Sequence, residues 1–219
     1  MAPRSRELAP STCPPEREAF ERDVFRLIRE RLEGEPDLIC LAGYDLWTTD
    51  WLVDAYFPRV LNIHPGDTTK GYSGLAWIAS AKAILAGDDA VRSTLFIVDK
   101  SEDDGPVFVQ SRPLKIVTAL AGAEIKEPRG LLDGLSRMKR FAGMTFERFQ
   151  ESAGPEDMSV MKLIGEAVQN VLKAAGDWEI YPYGVGLIAR GAVEVEDRAV
   201  YINGNRMPTH GYRMEEPLP

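Results

Sequence analysis

The run Val60-Leu61-Asn62-Ile63-His64-Pro65 is an apolar stretch that ends in Asn-x-His and is then cut off by Pro-Gly. It reads as a buried strand that delivers two polar groups at its exit. Residues two apart on a strand point to the same face, so Asn62 and His64 project together. In an α/β sheet the strand ends are where binding crevices open. An amide that donates a hydrogen bond and an imidazole that takes or gives a proton are what acyl transfer to an amine requires. A histidine near a strand end is, taken alone, more often a hydrogen-bonded structural residue, so the surrounding sequence has to carry the argument.

The elements that must position this pair follow from the patterning. Residues 1–15 hold four prolines and little apolar content and read as an irregular leader. Phe20, Val24, Leu27, Ile28 and Leu32 then recur at helical spacing up to about Glu33, where Gly34 stops the helix. Asp37 to Gly43 reads as a short buried strand. Thr48 or Thr49 can cap a helix through Trp51, Leu52, Val53 and Tyr56. After the Asn-x-His strand comes a polar, glycine-rich loop (Gly66 to Gly74), a helix over 76–86 ended by Gly87, and a buried strand at Ser93 to Val98. Strand, helix, strand, helix, strand is the order of an α/β sheet.

That last strand leaves through an acidic turn, Asp99-Lys100-Ser101-Glu102-Asp103-Asp104-Gly105-Pro106, and Val107 to Ile116 reads as the returning strand. Residues 127–176 look like added helical material, with a basic cluster at Arg137, Lys139, Arg140 and Arg148 and an apolar stripe at Met161, Ile164, Val168, Val171 and Leu172. A basic helix face is usually just solvated. The tail alternates: Val185, Leu187 and Ile188, then Val193 and Val195, a turn at Glu196-Asp197-Arg198, then Val200 and Ile202. It reads as short antiparallel strands joined by tight turns.

Composition narrows the function classes. At 219 residues, one domain with a sizeable core is expected, residues 16–219, and no apolar run has the length of a membrane span. The first twenty residues lack the apolar core of a secretory signal, so a cytoplasmic location is the default. A net charge of −8 argues against a broad nucleic-acid surface. Cys13 and Cys40 sit in no metal-ligand spacing, and with two histidines in the chain no metal site is expected. The loop after Pro65 has no Gly-Lys-Ser/Thr closing it, so it is not a P-loop. No G-x-G-x-x-G follows a strand, which disfavours a dinucleotide-binding dehydrogenase.

Leu41-Ala42-Gly43-Tyr44, Asn62-Ile63-His64-Pro65 and Asp103-Asp104-Gly105-Pro106, in that order, resemble the formyltransferases that use 10-formyltetrahydrofolate, especially the phosphoribosylglycinamide type. Ile180-Tyr181-Pro182 and Asn203 to Tyr212 are similar to the closing segments of that type, so the resemblance runs from about Glu16 to Tyr212. It implies a Rossmann-like formyltransferase fold, α/β with a mostly parallel sheet, N-terminally shortened, carrying the helical insertion and a C-terminal antiparallel hairpin. It implies catalysis by Asn62, His64 and Asp103. It implies that 10-formyltetrahydrofolate, as co-substrate, lies against Tyr44, Leu46, Trp47, Thr48, Val98 and Asp103, largely through main-chain contacts. The resemblance further implies a small-molecule amine as acceptor, with no nucleic acid, membrane or metal expected to take part.

Two departures bear on the acceptor. The chain is expected to begin after the strand and glycine-rich turn that hold the acceptor's phosphate in such enzymes. Glu194 also stands where a phosphate-facing lysine is expected, while Asp197 keeps the acid used on the ribose. Lys70, with Thr68 and Thr69, or the basic helix around Arg137 to Arg140, is the candidate substitute anion site. The shortened sheet leaves an edge to be covered by the leader, the insertion, a second copy of the chain or a partner. Two other readings stay open: a hydrolase of formyltetrahydrofolate, and a non-catalytic folate-binding relative that needs a partner chain.

Overall fold

The computed structural model describes residues 15–218, apart from 45, 47, 102 and 124–127. Residues 1–14 of the expected leader, Trp47 and the start of the helical insertion therefore lie outside the described residues. Helix α1 (Pro15–Leu32) is followed by β1 (Ile39–Leu41), α2 (Asp50–Tyr56), β2 (Val60–His64), α3 (Ile78–Ala86), β3 (Ala90–Val91), β4 (Thr94–Ile97) and β5 (Val107–Gln110). Next come β6 (Leu114–Lys115), α4 (Ile116–Ala121), α5 (Pro128–Met138), α6 (Phe146–Ser152), α7 (Pro155–Leu172) and α8 (Trp178–Ala189). The chain closes with β7 (Val193–Glu196), β8 (Ala199–Ile202), β9 (Asn205–Arg206) and β10 (Tyr212–Arg213).

The central sheet has the order β1-β2-β4-β5-β10. Pairs β1/β2 and β5/β10 are parallel, while β2/β4 and β4/β5 are antiparallel. Four of the five strands thus share a direction and β4 is reversed, which makes the expected α/β sheet a mixed one. The reversal has a plain cause. The chain leaves β2 at His64 and enters β4 at Thr94, which is the residue paired with His64. The intervening α3 packs on α7 instead of crossing back along the sheet, as a parallel connection would require.

Strand alternation sorts the core into two faces. Val60, Phe96 and Val98 pack on one side with Phe25 of α1 and Leu52, Val53 and Tyr56 of α2. Leu61, Leu95, Ile97, Phe108 and Val109 pack on the other with Ile180 and Leu187 of α8 and with Val200 and Ile202 of the tail. At about 25 cal/mol per Å² of apolar surface removed from water, these two layers dominate the stability of the sheet. A third cluster joins α3, α4, α5, α6 and α7.

Several local expectations are corrected. The first helix buries Glu21 and Phe25 and leaves Phe20, Leu27 and Leu32 more than half exposed. Strand β1 is only half-buried, because among the described residues it forms the edge of the sheet, with Cys40 exposed. The stretch 107–116 is not one strand. It breaks at Ser111-Arg112-Pro113, where proline removes a ladder donor, and resumes as β6 paired with β3. Val185, Leu187 and Ile188 are helical: Ile180, Gly184 and Leu187 recur at helical spacing and are buried against the sheet. Gly184 permits this approach, since a Cβ there would collide with Leu95. The antiparallel tail is real but begins at Val193, with β7, β8 and β9 forming a small sheet of their own.

Candidate active site

Asn62 and His64 are carried on β2, on the same face as Val60. Asn62 sits between Leu41 of β1 and Phe96 of β4, so the strand is fixed on both sides as it approaches the mouth. The Ile63 N–H donates to Asn62 Oδ1 at 2.9 Å, which identifies the oxygen and leaves the amide NH₂ as the donor of that side chain.

His64 is 7% exposed, and its ring is oriented by the glycine-rich loop that follows. Its Nε2 lies 2.8 Å from the Tyr72 carbonyl. A carbonyl only accepts, so Nε2 carries a proton and Nδ1 is the nitrogen whose protonation varies. Asp67 caps the short 3₁₀ turn over 68–70 and takes a hydrogen bond from Gln110 Nε2 at 2.8 Å. Thr94 Oγ1 donates to the Gly66 carbonyl at 2.8 Å. Gly66 has no room for a side chain: a Cβ would stand 2.8 Å from the Tyr72 carbonyl and 3.0 Å from His64 Cδ2.

The acidic loop after β4 completes the group. His64 Nδ1 lies 3.6 Å from Asp103 Oδ2, an ion-pair distance if the ring is protonated. Three features shape this loop. Ser101 N–H donates to Asp99 Oδ1 at 2.9 Å, Asp103 adopts a positive φ of 47°, and Gly105 passes so close to the Ile97 carbonyl that a Cβ would overlap it. The tail hairpin holds the loop from outside: Arg198 pairs with Asp99 and donates to the Asp104 carbonyl at 2.6 Å. Asp197 and Arg198 both have positive φ, as a tight hairpin turn of this kind requires.

A cavity of 270 Å³ opens over these residues. Asn62, His64 and Asp103 line it together, as do Tyr44, Leu46, Thr48 and Val98. Tyr44 and Thr49, at this side of the cavity, are tied down by α1. Buried Glu21 accepts hydrogen bonds from Thr49 N–H at 3.2 Å and Thr49 Oγ1 at 2.5 Å, and Arg17 bonds the Tyr44 hydroxyl. Thr49 in turn caps α2. From α8, the Tyr181 hydroxyl donates to the Leu41 carbonyl at 2.9 Å, and burial pushes its acidity well below that of a free phenol.

The two expected substrate contacts lie elsewhere. Lys70 Nζ is held by Asp88 Oδ2 at 2.7 Å and does not line the cavity. Asp197 sits on the exposed hairpin turn. The basic helix is also engaged, with Arg137 and Arg140 both paired to Asp157 at the start of α7. Sequence reasoning missed Gln169, Lys173 and Asp177, which α7 and the turn after it bring to the cavity wall. The available signal was faint: three polar residues four apart, flanking the apolar stripe at Val168 and Leu172. Among the described residues, no cluster of His, Cys, Asp and Glu is arranged to hold a metal ion, and no helix is long and apolar enough to cross a membrane.

Comparison with known proteins adds to this geometry. The chain is 26% identical over 200 residues to phosphoribosylglycinamide formyltransferase of Escherichia coli (strain K12), covering 91% of this chain and 70% of that enzyme. It is 34% identical over 92 residues to the enzyme of the same name from Bacillus subtilis (strain 168), covering 42% and 44% of the two chains. The fold matches that of the phosphoribosylglycinamide formyltransferase of Coxiella burnetii, with a TM-score of 0.55 at 21% identity over 91% of this chain and 70% of that one. The family model described as "Formyl transferase" matches residues 9–123, just over half of the chain and the part that holds Asn62, His64 and Asp103. This chain therefore belongs to the formyl transferase family of enzymes, and within it resembles the phosphoribosylglycinamide formyltransferases.

Proposed function

We propose that the chain moves a formyl group from 10-formyltetrahydrofolate to a small-molecule amine, with Asn62, His64 and Asp103 as its catalytic residues. The observation that carries this reading is that the three side chains line one cavity, with His64 Nδ1 3.6 Å from Asp103. The rim formed by Leu41, Leu46, Phe96 and Val98 is apolar and suits a flat ring system, with Tyr44 and Thr48 lining the cavity beside it.

As the acceptor amine attacks the formyl carbon, negative charge gathers on the formyl oxygen. The Asn62 NH₂ group and a protonated His64 Nδ1 are the donors available to it. Asp103 stabilises the imidazolium and supports transfer of an amine proton to N10 of the folate as the C–N10 bond breaks. No step in this sequence calls for a metal. A cytoplasmic site of action and a second copy or partner over the β1 edge belong to the same proposal.

The test follows consumption of 10-formyltetrahydrofolate by absorbance, with and without glycinamide ribonucleotide, for the wild type and His64→Ala. Acceptor-dependent turnover that falls by about 10²-fold or more in the variant supports the reading. Turnover that proceeds at the same rate without an amine points to the hydrolase alternative, and folate binding without turnover to the non-catalytic one.

A further inference from the structure

Helix α1 has two unlike faces. One is spent inside the chain: Phe25 packs with Leu52, Val53 and Tyr56, and Glu21 accepts from Thr49. The other is a stripe of Glu16, Phe20, Val24, Leu27 and Arg31, whose spacings of three and four residues put them on one side of the helix. Phe20 is 58% exposed and Leu27 55% exposed, with Val24 half-buried between them. Glu16 and Arg31 stand exposed at the two ends of the stripe. Two large apolar side chains left open to water on one stripe of a highly charged helix mark a contact surface.

The charges along α1 determine what fits this stripe. Arg26 pairs with both Asp23 and Glu30, and Arg22 pairs with Glu18. Among the described residues, Glu16 and Arg31 have no ion-pair partner. They lie equally far from the middle of the helix, and so do Phe20 and Leu27: each pair is symmetric about the point between Asp23 and Val24. An acid at one end, a base at the other and apolar residues between them make a self-complementary surface. A second α1 laid antiparallel across that point puts Phe20 beside Leu27, Val24 beside Val24 and Glu16 beside Arg31. A parallel copy would set Glu16 against Glu16 and Arg31 against Arg31. A wholly acidic or basic partner, or an anionic lipid surface, would be attracted at one end and repelled at the other.

We propose that α1 is a self-association surface, on which a second copy of the chain packs antiparallel about a two-fold axis between Asp23 and Val24. At the usual helix–helix separation of about 8–10 Å, Phe20 and Leu27 of both copies meet in one apolar seam. A Glu16–Arg31 pair closes the seam at each end. This inference does not depend on the formyl-transfer reading, and it names the face that a second copy uses. The same face is joined to the cavity. The Arg17 guanidinium lies over the Phe20 ring, 5.5 Å from its centroid, and bonds the hydroxyl of Tyr44 on the cavity wall.

Sedimentation velocity on the full chain, over a range of micromolar concentrations, tests this with the wild type, Leu27→Glu, Glu16→Arg, Arg31→Glu and the double variant Glu16→Arg with Arg31→Glu. The three positions are exposed, so each variant should fold as the wild type does, which circular dichroism checks. The wild type is expected to dimerise reversibly. Leu27→Glu puts a carboxylate into the seam and should weaken the dimer by about 30-fold or more. Each single charge variant should weaken it by about tenfold, because like charges then meet at both ends of the seam. The double variant restores both pairs and should regain the wild-type affinity, as should an equimolar mixture of the two single charge variants. A wild type that stays monomeric throughout would overturn the proposal, and so would a dimer that Leu27→Glu leaves intact. Loss of the dimer in the single charge variants without recovery in the double variant would overturn the antiparallel arrangement.

Discussion

Replacing Asp103 by Asn removes one charge with almost no change in shape, so it isolates what the carboxylate does for His64. At the observed 3.6 Å, a unit charge pair is worth about 1 kcal/mol in bulk water and about 5 kcal/mol at an effective dielectric near 20. Asp103 is one-fifth exposed and His64 is nearly covered, which puts the pair between these limits. About 2–3 kcal/mol is a reasonable middle value, and at 1.4 kcal/mol per decade it corresponds to roughly a 10²-fold loss in kcat. The assay is formyl transfer at saturating folate and acceptor, accompanied by imidazole NMR to read the charged fraction of His64 at pH 7. Both should fall in Asp103→Asn, while the urea midpoint stays close to that of the wild type. A variant that keeps kcat within threefold, or whose His64 is as fully charged as in the wild type, would refute the assignment of Asp103 as the partner of the ring.

Three further outcomes are expected. Gly66→Ala forces a Cβ against the Tyr72 carbonyl and the His64 ring, so it should cost about 1–3 kcal/mol by overpacking and reduce activity more than folate affinity; thermal melts and kinetics read the two effects. Glu21→Gln weakens the acceptors that hold Thr49, so the cap of α2 and Thr48 beside it on the cavity wall should loosen, raising the KM for 10-formyltetrahydrofolate with a stability loss of about 1–2 kcal/mol. Asp177→Asn should stabilise the chain. The folded carboxyl sits at about 6, above its ordinary value, so folding favours the protonated form and ionisation costs stability as pH rises. That cost is absent below about pH 4 and complete above about pH 6, where it reaches about 3 kcal/mol. A urea midpoint raised at pH 7.5 and unchanged at pH 4 checks the sign.

The expected gain at Asp177 also bears on how the molecule is organised. A buried carboxylate that lowers stability is a feature that function, not packing, would retain. The same reasoning applies to Asp103, whose positive φ is held by the Asp99 turn, by Gly105 and by Arg198 from the tail.

The sequence by itself determined whatever depends on local periodicity and spacing. An apolar run of alternating faces ending in Asn-x-His had to be a strand with Asn62 and His64 on one side, because the side-chain period of a strand is two. Gly87 had to end α3, and its backbone is left-handed there. The acidic turn after β4 was legible as a loop, and its match to a family motif singled out Asp103. Longer-range facts were not legible. The direction of β4 depends on where α3 finds its packing partner, and that partner, α7, lies some eighty residues away. Whether Val185, Leu187 and Ile188 form a strand or a helix was decided by the sheet beneath them, since a short apolar run fits either period. Lys70 and Arg140 looked available until folding paired them with Asp88 and Asp157. Asp177 entered the site only because Gly165, Gly176 and Gly184 let a long helical segment lie close against Trp77, Ser93 and Leu95. Close packing of that kind is a property of two surfaces meeting, and no single stretch of sequence contains both.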